Sequence, residues 1–528
     1  MDYDLDFNPF FLSFSIIRSQ NVCVFISAML IIIAIFASIF LPILSFLLSH
    51  RITLNTYNVM TKKRILLSVF LLLLVTFSAG ARTITGTVKG AGKPLDGVLV
   101  TDGFSIVQAN YKGEYSIDLN DKAEFVYIIT PQGYVADFSS GTPQFYQRLQ
   151  DGKQVYNFEL QKMKGDPRHY AMITMADPQI DTRQDFDKLM KESLPDIKET
   201  AAQYQDAQVA GIMLGDISWD VYSNNELVKD FCRQAGFPIY PCIGNHDYDK
   251  YLKPSDSADY AWQYKRDFGP VYYAFQLGEA YYVVLSNLKY TGYKGYKVTF
   301  EMEDQMRWLE RLLRTAWNMG NRVYICAHAP VRSSPESPFI GGAEHIFNML
   351  AYKFEASFLT AHFHHNSNKD LGANIMEHNV GALCGNWWYP PVASDGTPRG
   401  YQVFEGYDRD IKEWYFKATG HPRSYQFKLY APGRVADRPK AVVAKVWNWD
   451  SAWHIHWYQD GKFMGDMEQF YSFDPEYLEY VNGARVVDDY FPVRHNRFFS
   501  AIPTDGAKEI KVEVIDRFGN IYTDTVKL

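Results

Sequence analysis

Five apolar runs, each closing on polar residues able to hold a cation, constrain this chain more than any other feature of its sequence. Residues 172–175 lead into Ala176, Asp177, Pro178 and Gln179, and residues 212–214 into Gly215 and Asp216. Residues 239–243 lead into Gly244, Asn245, His246 and Asp247. Residues 323–326 lead into Ala327, His328, Ala329 and Pro330, and residues 358–360 into Ala361, His362, Phe363 and His364. Short apolar runs alternating with amphipathic segments predict a layered α/β fold. Strands are expected at 170–175, 209–214, 239–243, 281–285, 323–327 and 357–360, and helices at 186–204 and 302–317. In the second helix Met302, Met306, Leu309, Leu313 and Trp317 recur at three-to-four spacing, which reads as a core stripe.

In an open α/β sheet the ends of parallel strands share one rim, where ligands bind. The pattern therefore predicts that Asp177, Gln179, Asp216, Asn245, His328, His362 and His364 meet there, with His246 and Asp247 beside them. Such donors suit two divalent ions of borderline softness, Mn, Fe or Zn, and a shared Asp can keep them roughly 3.5 to 4 Å apart. Two ions so placed can clamp a phosphate and generate hydroxide near neutral pH, with no organic cofactor. Any one of the histidines alone is more commonly an ordinary hydrogen-bonded residue; their occurrence in register is the signal. His169, His345, His365 and His378 read as ordinary polar residues. Trp219, Tyr248, Arg332, Trp387 and Trp388 fit either an approach to substrate or core packing.

The series D-x-Q, GD, GNHD, H-x-P and AHFH resembles the calcineurin-like metallophosphoesterase family, whose pattern is D-x-H, GD, GNH with D or E, a lone His, and GH-x-H. The resemblance implies a four-layer α/β/β/α sandwich flanked by two all-β domains. It also implies hydrolysis of a phosphomonoester or phosphodiester by metal-bound hydroxide at a dinuclear centre. Carried over by position, Asp177, Gln179, Asp216 and His364 surround one ion, and Asp216, Asn245, His328 and His362 the other. His246 would protonate or stabilise the leaving oxygen, oriented by Asp247. Two departures stand out: Gln179, a weaker and harder ligand, replaces a histidine and shifts preference toward Mn over Zn, and Ala361 replaces a glycine. Trp219 occupies the position where purple acid phosphatases carry a tyrosine, so a tyrosinate-iron site is not expected.

The flanks read as β-rich. Residues 82–163 show alternating strands between turn signals, and TITGTVKGAGKPLDGVLVTDG with YKGEYSIDL resembles transthyretin-like or carboxypeptidase-regulatory-like domains. The catalytic region is expected at 168–368 and a C-terminal β-rich domain at 369–528, its aromatic residues mostly core. GALCGNWWYPP and DGTPRGYQVFE extend the similarity to exported bacterial members of the family.

Ahead of these, Met60, Lys62, Lys63 and Arg64, an apolar stretch and Ala79-Gly80-Ala81 have the layout of a signal peptide over 60–81. Residues 1–59 are then an over-extended reading frame; the alternative is a membrane segment, since residues 22–48 reach the roughly 20 apolar residues a span needs. A periplasmic or cell-surface location follows from the first reading.

With 528 residues, 47% hydrophobic, the chain can bury several cores, and its net charge of -7 gives no general attraction for nucleic acid. The partner expected is a phosphorylated small molecule or glycan. The alternatives are a nucleotide or pyrophosphate diester hydrolase, or a glycan-binding surface protein without activity. The cysteines are too few and scattered for a disulfide framework, although Cys232 and Cys242 could pair.

Overall fold

Alternation along the strand Asp166–Met175 organises the catalytic region. Tyr170 and Met172 enter one core, whereas Ala171, Ile173 and Met175 enter another on the opposite face, the period-two pattern of a strand buried on both sides. The computed structural model describes residues 82–528 except 255–258, 318–321, 335 and 484–490. The expected signal peptide and the segment before it lie outside the described residues. Among the described residues no helix is long and apolar enough to cross a membrane.

Two mixed sheets carry the site. The first runs in the order Ile239–Cys242, Ala207–Leu214, Asp166–Met175, Gly400–Tyr407 and Asp410–Ala418, with its first three strands parallel. The second runs Tyr273–Leu277, Ala280–Val284, Arg322–Cys326, Glu355–Thr360, Ile375–Asn379 and Ser367–Gly372. Their inward side chains share one apolar cluster, in which Tyr240 stacks on Phe275 at 3.6 Å between ring centroids and Tyr282 on Tyr324 at 4.6 Å. Helices cover the outer faces. Phe186, Leu189, Ile197, Val228 and Phe231 pack with Ile173 and Met213, while Trp308, Leu309, Leu312 and Leu313 pack into the cluster of the second sheet.

Several elements differ from the sequence expectation for identifiable reasons. The strands Gly400–Tyr407 and Asp410–Ala418, read as C-terminal, extend the first sheet, Gly400–Tyr407 antiparallel to Asp166–Met175 and Asp410–Ala418 antiparallel to Gly400–Tyr407. Alternation discloses a strand but not its partner. The predicted helix at 186–204 is instead Arg183–Lys188 and Leu194–Ala201 separated by a π turn at Leu189–Ser193. Pro195 cannot donate a backbone hydrogen bond and crowds the carbonyl four residues back, which favours such a break. In Glu303–Trp317 the fully buried side chains include Trp308 and Leu312, which the three-to-four stripe left out.

Residues 83–162 form two small sheets around Ile84, Val88, Val100, Val126 and Ile128, and join the catalytic region through Phe145 against Tyr273, 4.5 Å between ring centroids. Beyond residue 426 two four-stranded sheets enclose Val442, Ala444, Val446, Phe499 and Val512, and the helix Pro475–Gly483 lies between strands. That helix departs from the all-β expectation. Cys232, Cys242, Cys326 and Cys384 are free and buried, so the possible Cys232–Cys242 pair is not formed.

Candidate metal centre

Each of the five apolar runs ends where its strand leaves the sheet, and the chain turns sharply there. Asp177, Gln179, Asp216, Asp220, His362 and His364 all have positive φ, between 43° and 72°, a region disfavoured for residues with a Cβ. Such backbone conformations persist only where surrounding structure enforces them. Close packing of the turns is part of that enforcement. A Cβ on Gly244 would lie 2.1 Å from the Asp216 nitrogen, and one on Gly215 would lie 2.7 Å from His328 Nδ1. The glycines of the GD and GNHD motifs thus let two strand ends touch.

The turns bring the expected donors together. Ligating atoms of Asp216, His328 and His362 all lie within 4.8 Å of one another. His328 Nε2 is 3.0 Å from Asn245 Oδ1 and 3.1 Å from His362 Nδ1, and its Nδ1 meets the Leu214 carbonyl at 2.7 Å. His364 Nε2 is 3.7 Å from Asp177 Oδ1, and its Nδ1 is anchored 2.6 Å from the Gly385 carbonyl. Anchoring one ring nitrogen on a carbonyl fixes the tautomer and aims the other nitrogen inward, as metal-ligating histidines require. Gln179 is also present, but its Nε2 donates to Asp216 Oδ2 at 3.1 Å, while the Cys384 thiol donates to its Oε1 at 3.6 Å. For Oε1 to hold a cation the amide must rotate and release both partners.

The electrostatics favour a bound cation. Asp177, Asp216 and Asp247 are at most 3% exposed, and Asp177 Oδ1 accepts no hydrogen bond. Burial and the neighbouring Asp216 push Asp177 well above the usual carboxylate value, although His328 opposes the shift. Asp216, against the cost of its burial, is held well below that value by His328 and His246. Burial and the charge of His328 lower His362 to about 3, and burial lowers His364 to about 4, so both present neutral imidazoles. His328, against the cost of its burial, is pushed up to about 9 by Asp216, so a cation bound here would take the place of its Nε2 proton; with an acceptor left unfilled on Asp177 the cluster fits divalent ions.

Around His246 the arrangement departs from expectation. Asp247 does not orient the imidazole: its Oδ2 accepts from the Gly244 N–H at 2.7 Å and its Oδ1 from the Ile217 N–H at 2.9 Å. These bonds tie the GD and GNHD turns together. The imidazole is held instead by Asp220, whose Oδ1 is 3.0 Å from Nδ1, and by Lys250, whose Nζ is 2.9 Å away. Trp219 stacks on its face with ring centroids 3.7 Å apart. Sequence reasoning missed Asp220 and Lys250. Their signal was spacing, since Asp220 follows Asp216 and Lys250 follows His246 by four residues.

The residues left between two readings divide. Trp219 and the half-buried Trp387 border the centre, Trp387 lying edge-on to His364 at 5.9 Å. Tyr248 and Trp388 are structural, bonding to Ser286 Oγ at 2.7 Å and the Pro178 carbonyl at 2.7 Å. Arg332 stacks on Phe339, 3.9 Å from the ring centroid. His169, His345, His365 and His378 bond to Glu405, Glu310, Ser394 and Asn368, outside the donor set.

Residues 175–366 match the calcineurin-like phosphoesterase family, residues 82–163 its N-terminal segment and residues 377–522 its C-terminal segment. No curated protein matches the chain. Among solved structures, a dimetal phosphatase from Danio rerio is 14% identical, with TM-score 0.32, over 47% of this chain and 98% of that one. A 5'-nucleotidase described as putative, from Staphylococcus aureus, is 14% identical, with TM-score 0.30, over 48% of this chain and 53% of that one. A purple acid phosphatase from yellow lupin (Lupinus luteus) seeds is 12% identical, with TM-score 0.34, over 59% of this chain and 56% of that one.

Proposed function

We propose, since the chain is a calcineurin-like phosphoesterase with that family's N- and C-terminal segments and so a hydrolase of phosphoesters, that it cleaves a phosphomonoester or phosphodiester at a two-metal centre outside the cytoplasm. The observation that carries this reading is the convergence of Asp216, His328 and His362 in one buried cluster beside an unfilled Asp177 oxygen. Asp177, Gln179, Asp216 and His364 would hold one divalent ion, and Asp216, Asn245, His328 and His362 the other, as Mn, Fe or Zn. When bound, such ions neutralise phosphate charge and acidify water.

The chain's own groups do the rest. The His246 N–H donates to Asp216 Oδ1 at 2.8 Å, which fixes the shared carboxylate. Donation from Lys250 to His246 Nδ1 leaves the neutral ring's proton on Nε2, the nitrogen 3.9 Å from Asp216 Oδ2. A ring protonated on both nitrogens can pass the Nε2 proton to the leaving oxygen and become neutral imidazole. When the ring is doubly protonated, Nδ1 donates to Asp220, and Trp219 keeps the imidazole from swinging away. The substrate class is a phosphorylated small molecule or glycan.

Two further readings belong with this function. The paired sheets and outer helices are layered as an α/β/β/α sandwich between β-rich flanking domains, and residues 60–81 act as a signal peptide that directs export. A chelator is expected to abolish turnover of an aryl phosphate and Mn to restore it, with bis-aryl phosphates distinguishing diester from monoester preference. Activity surviving both chelation and Asp216→Ala would refute the reading.

A further inference from the structure

Next to the donor cluster, a cavity of about 250 Å³ lies where the C-terminal sheets meet the catalytic region. Phe363, which sits between His362 and His364 in the chain, forms part of its wall. The Phe363 ring is 38% exposed, with its centroid 5.6 Å from that of His362. A group in the cavity is therefore one ring away from a residue of the donor cluster.

The cavity lining is rich in cations and hydrogen-bond donors. Lys369, Arg494 and Arg497 contribute to it, and Glu336 is the sole carboxylate among the lining residues. The carboxylates that pair with these cations, Glu377, Asp437 and Asp395, are not among those residues. A spare donor remains after the pairing. Lys369, 8% exposed, uses two of its three protons on the Arg332 carbonyl and Glu377. With their carboxylate partners outside the lining, these cations leave the cavity wall net positive, which favours a ligand that supplies oxygen acceptors.

We infer that this cavity is a subsite for a second oxyanion of the substrate, a carboxylate or a further phosphate carried by the group that bears the scissile phosphate. The inference rests on the phosphoesterase reading and narrows it to substrates with two acidic groups. Guanidinium and ammonium donors in a partly enclosed pocket bind an oxyanion far better than they bind a hydroxyl. Phe363 and the half-buried Trp449 would flank the carbon skeleton between the two acidic groups.

Three probes sharing a phosphate on carbon 6 separate the possibilities: glucose 6-phosphate, 6-phosphogluconate and glucose 1,6-bisphosphate. The full chain with its metals is expected to show kcat/KM about 10-fold higher for at least one of the two doubly acidic probes, through a lower KM. Which one gains tells carboxylate from phosphate. In Arg494→Gln, and independently in Arg497→Lys, which keeps a cation opposite Asp395, that ratio is expected to fall close to one. Equal kcat/KM for all three probes, or a preference that survives both variants, overturns the subsite while p-nitrophenyl phosphate turnover still upholds the phosphoesterase reading. Loss of turnover on every phosphoester overturns both.

Discussion

Asp220 Oδ1 lies 3.0 Å from His246 Nδ1, whereas Asp247, the neighbour of that histidine in sequence, spends both carboxylate oxygens on the backbone N–H groups of Gly244, Ile217 and Ser218. Two acidic residues next to one histidine therefore have different work. Asp220→Asn is expected to lower kcat about 100-fold with little change in KM, because it disturbs the group that protonates the leaving oxygen. Asp247→Asn should instead lower the melting temperature. Steady-state kinetics and thermal melts of the two variants check this, and the reverse pattern would return the orienting role to Asp247.

Gln179 offers the cation an amide where the family pattern has an imidazole, and that amide must let go of Asp216 and Cys384 to do so. Gln179→His supplies a ligand with greater affinity for Zn. Zn binding, measured by competition with a chromophoric chelator, is expected to tighten on the order of 10-fold. Unchanged affinity would mean that position 179 does not reach the ion.

Acid sensitivity has a source remote from the centre. His378 is buried between Phe404 and Trp414, and burial lowers its pKa to about 3. Its folded value lies below the unfolded value near 6.5. The unfolded chain therefore takes up the proton first, and stability present above pH ~6.5 is lost as pH falls toward ~3. Between pH 6.5 and 5 the loss is about 2 kcal/mol. His378→Asn should shrink the fall in melting temperature between pH 7 and pH 5. An equal fall in variant and wild type would assign the acid sensitivity to other groups.

What the sequence made legible follows from where information is local. A strand that ends in Asp or His, followed by a glycine turn, is readable from consecutive residues, and Asp177, Asp216, Asn245, His328, His362 and His364 converge as their positions implied. Gln179 stands among them, but with its amide nitrogen facing Asp216. Pairing between distant strands is not local. Gly400–Tyr407 reads as a half-buried strand wherever it docks, so its place in the catalytic sheet stayed hidden. Roles set by side-chain direction were also hidden: Asp220 and Asp247 differ in which way they point, not in chemistry. Cys384 lies against both Gln179 and His364, its sulfur 3.6 Å from Oε1 and 3.9 Å from Nδ1.

The central claim is that this cluster of buried donors holds two cations. Elemental analysis of the purified full chain tests it most directly. The expected result is two divalent ions per wild-type chain and no more than one after His364→Ala, with phosphoester turnover falling in step. A wild-type chain that carries no metal and yet hydrolyses phosphoesters at full rate would contradict it.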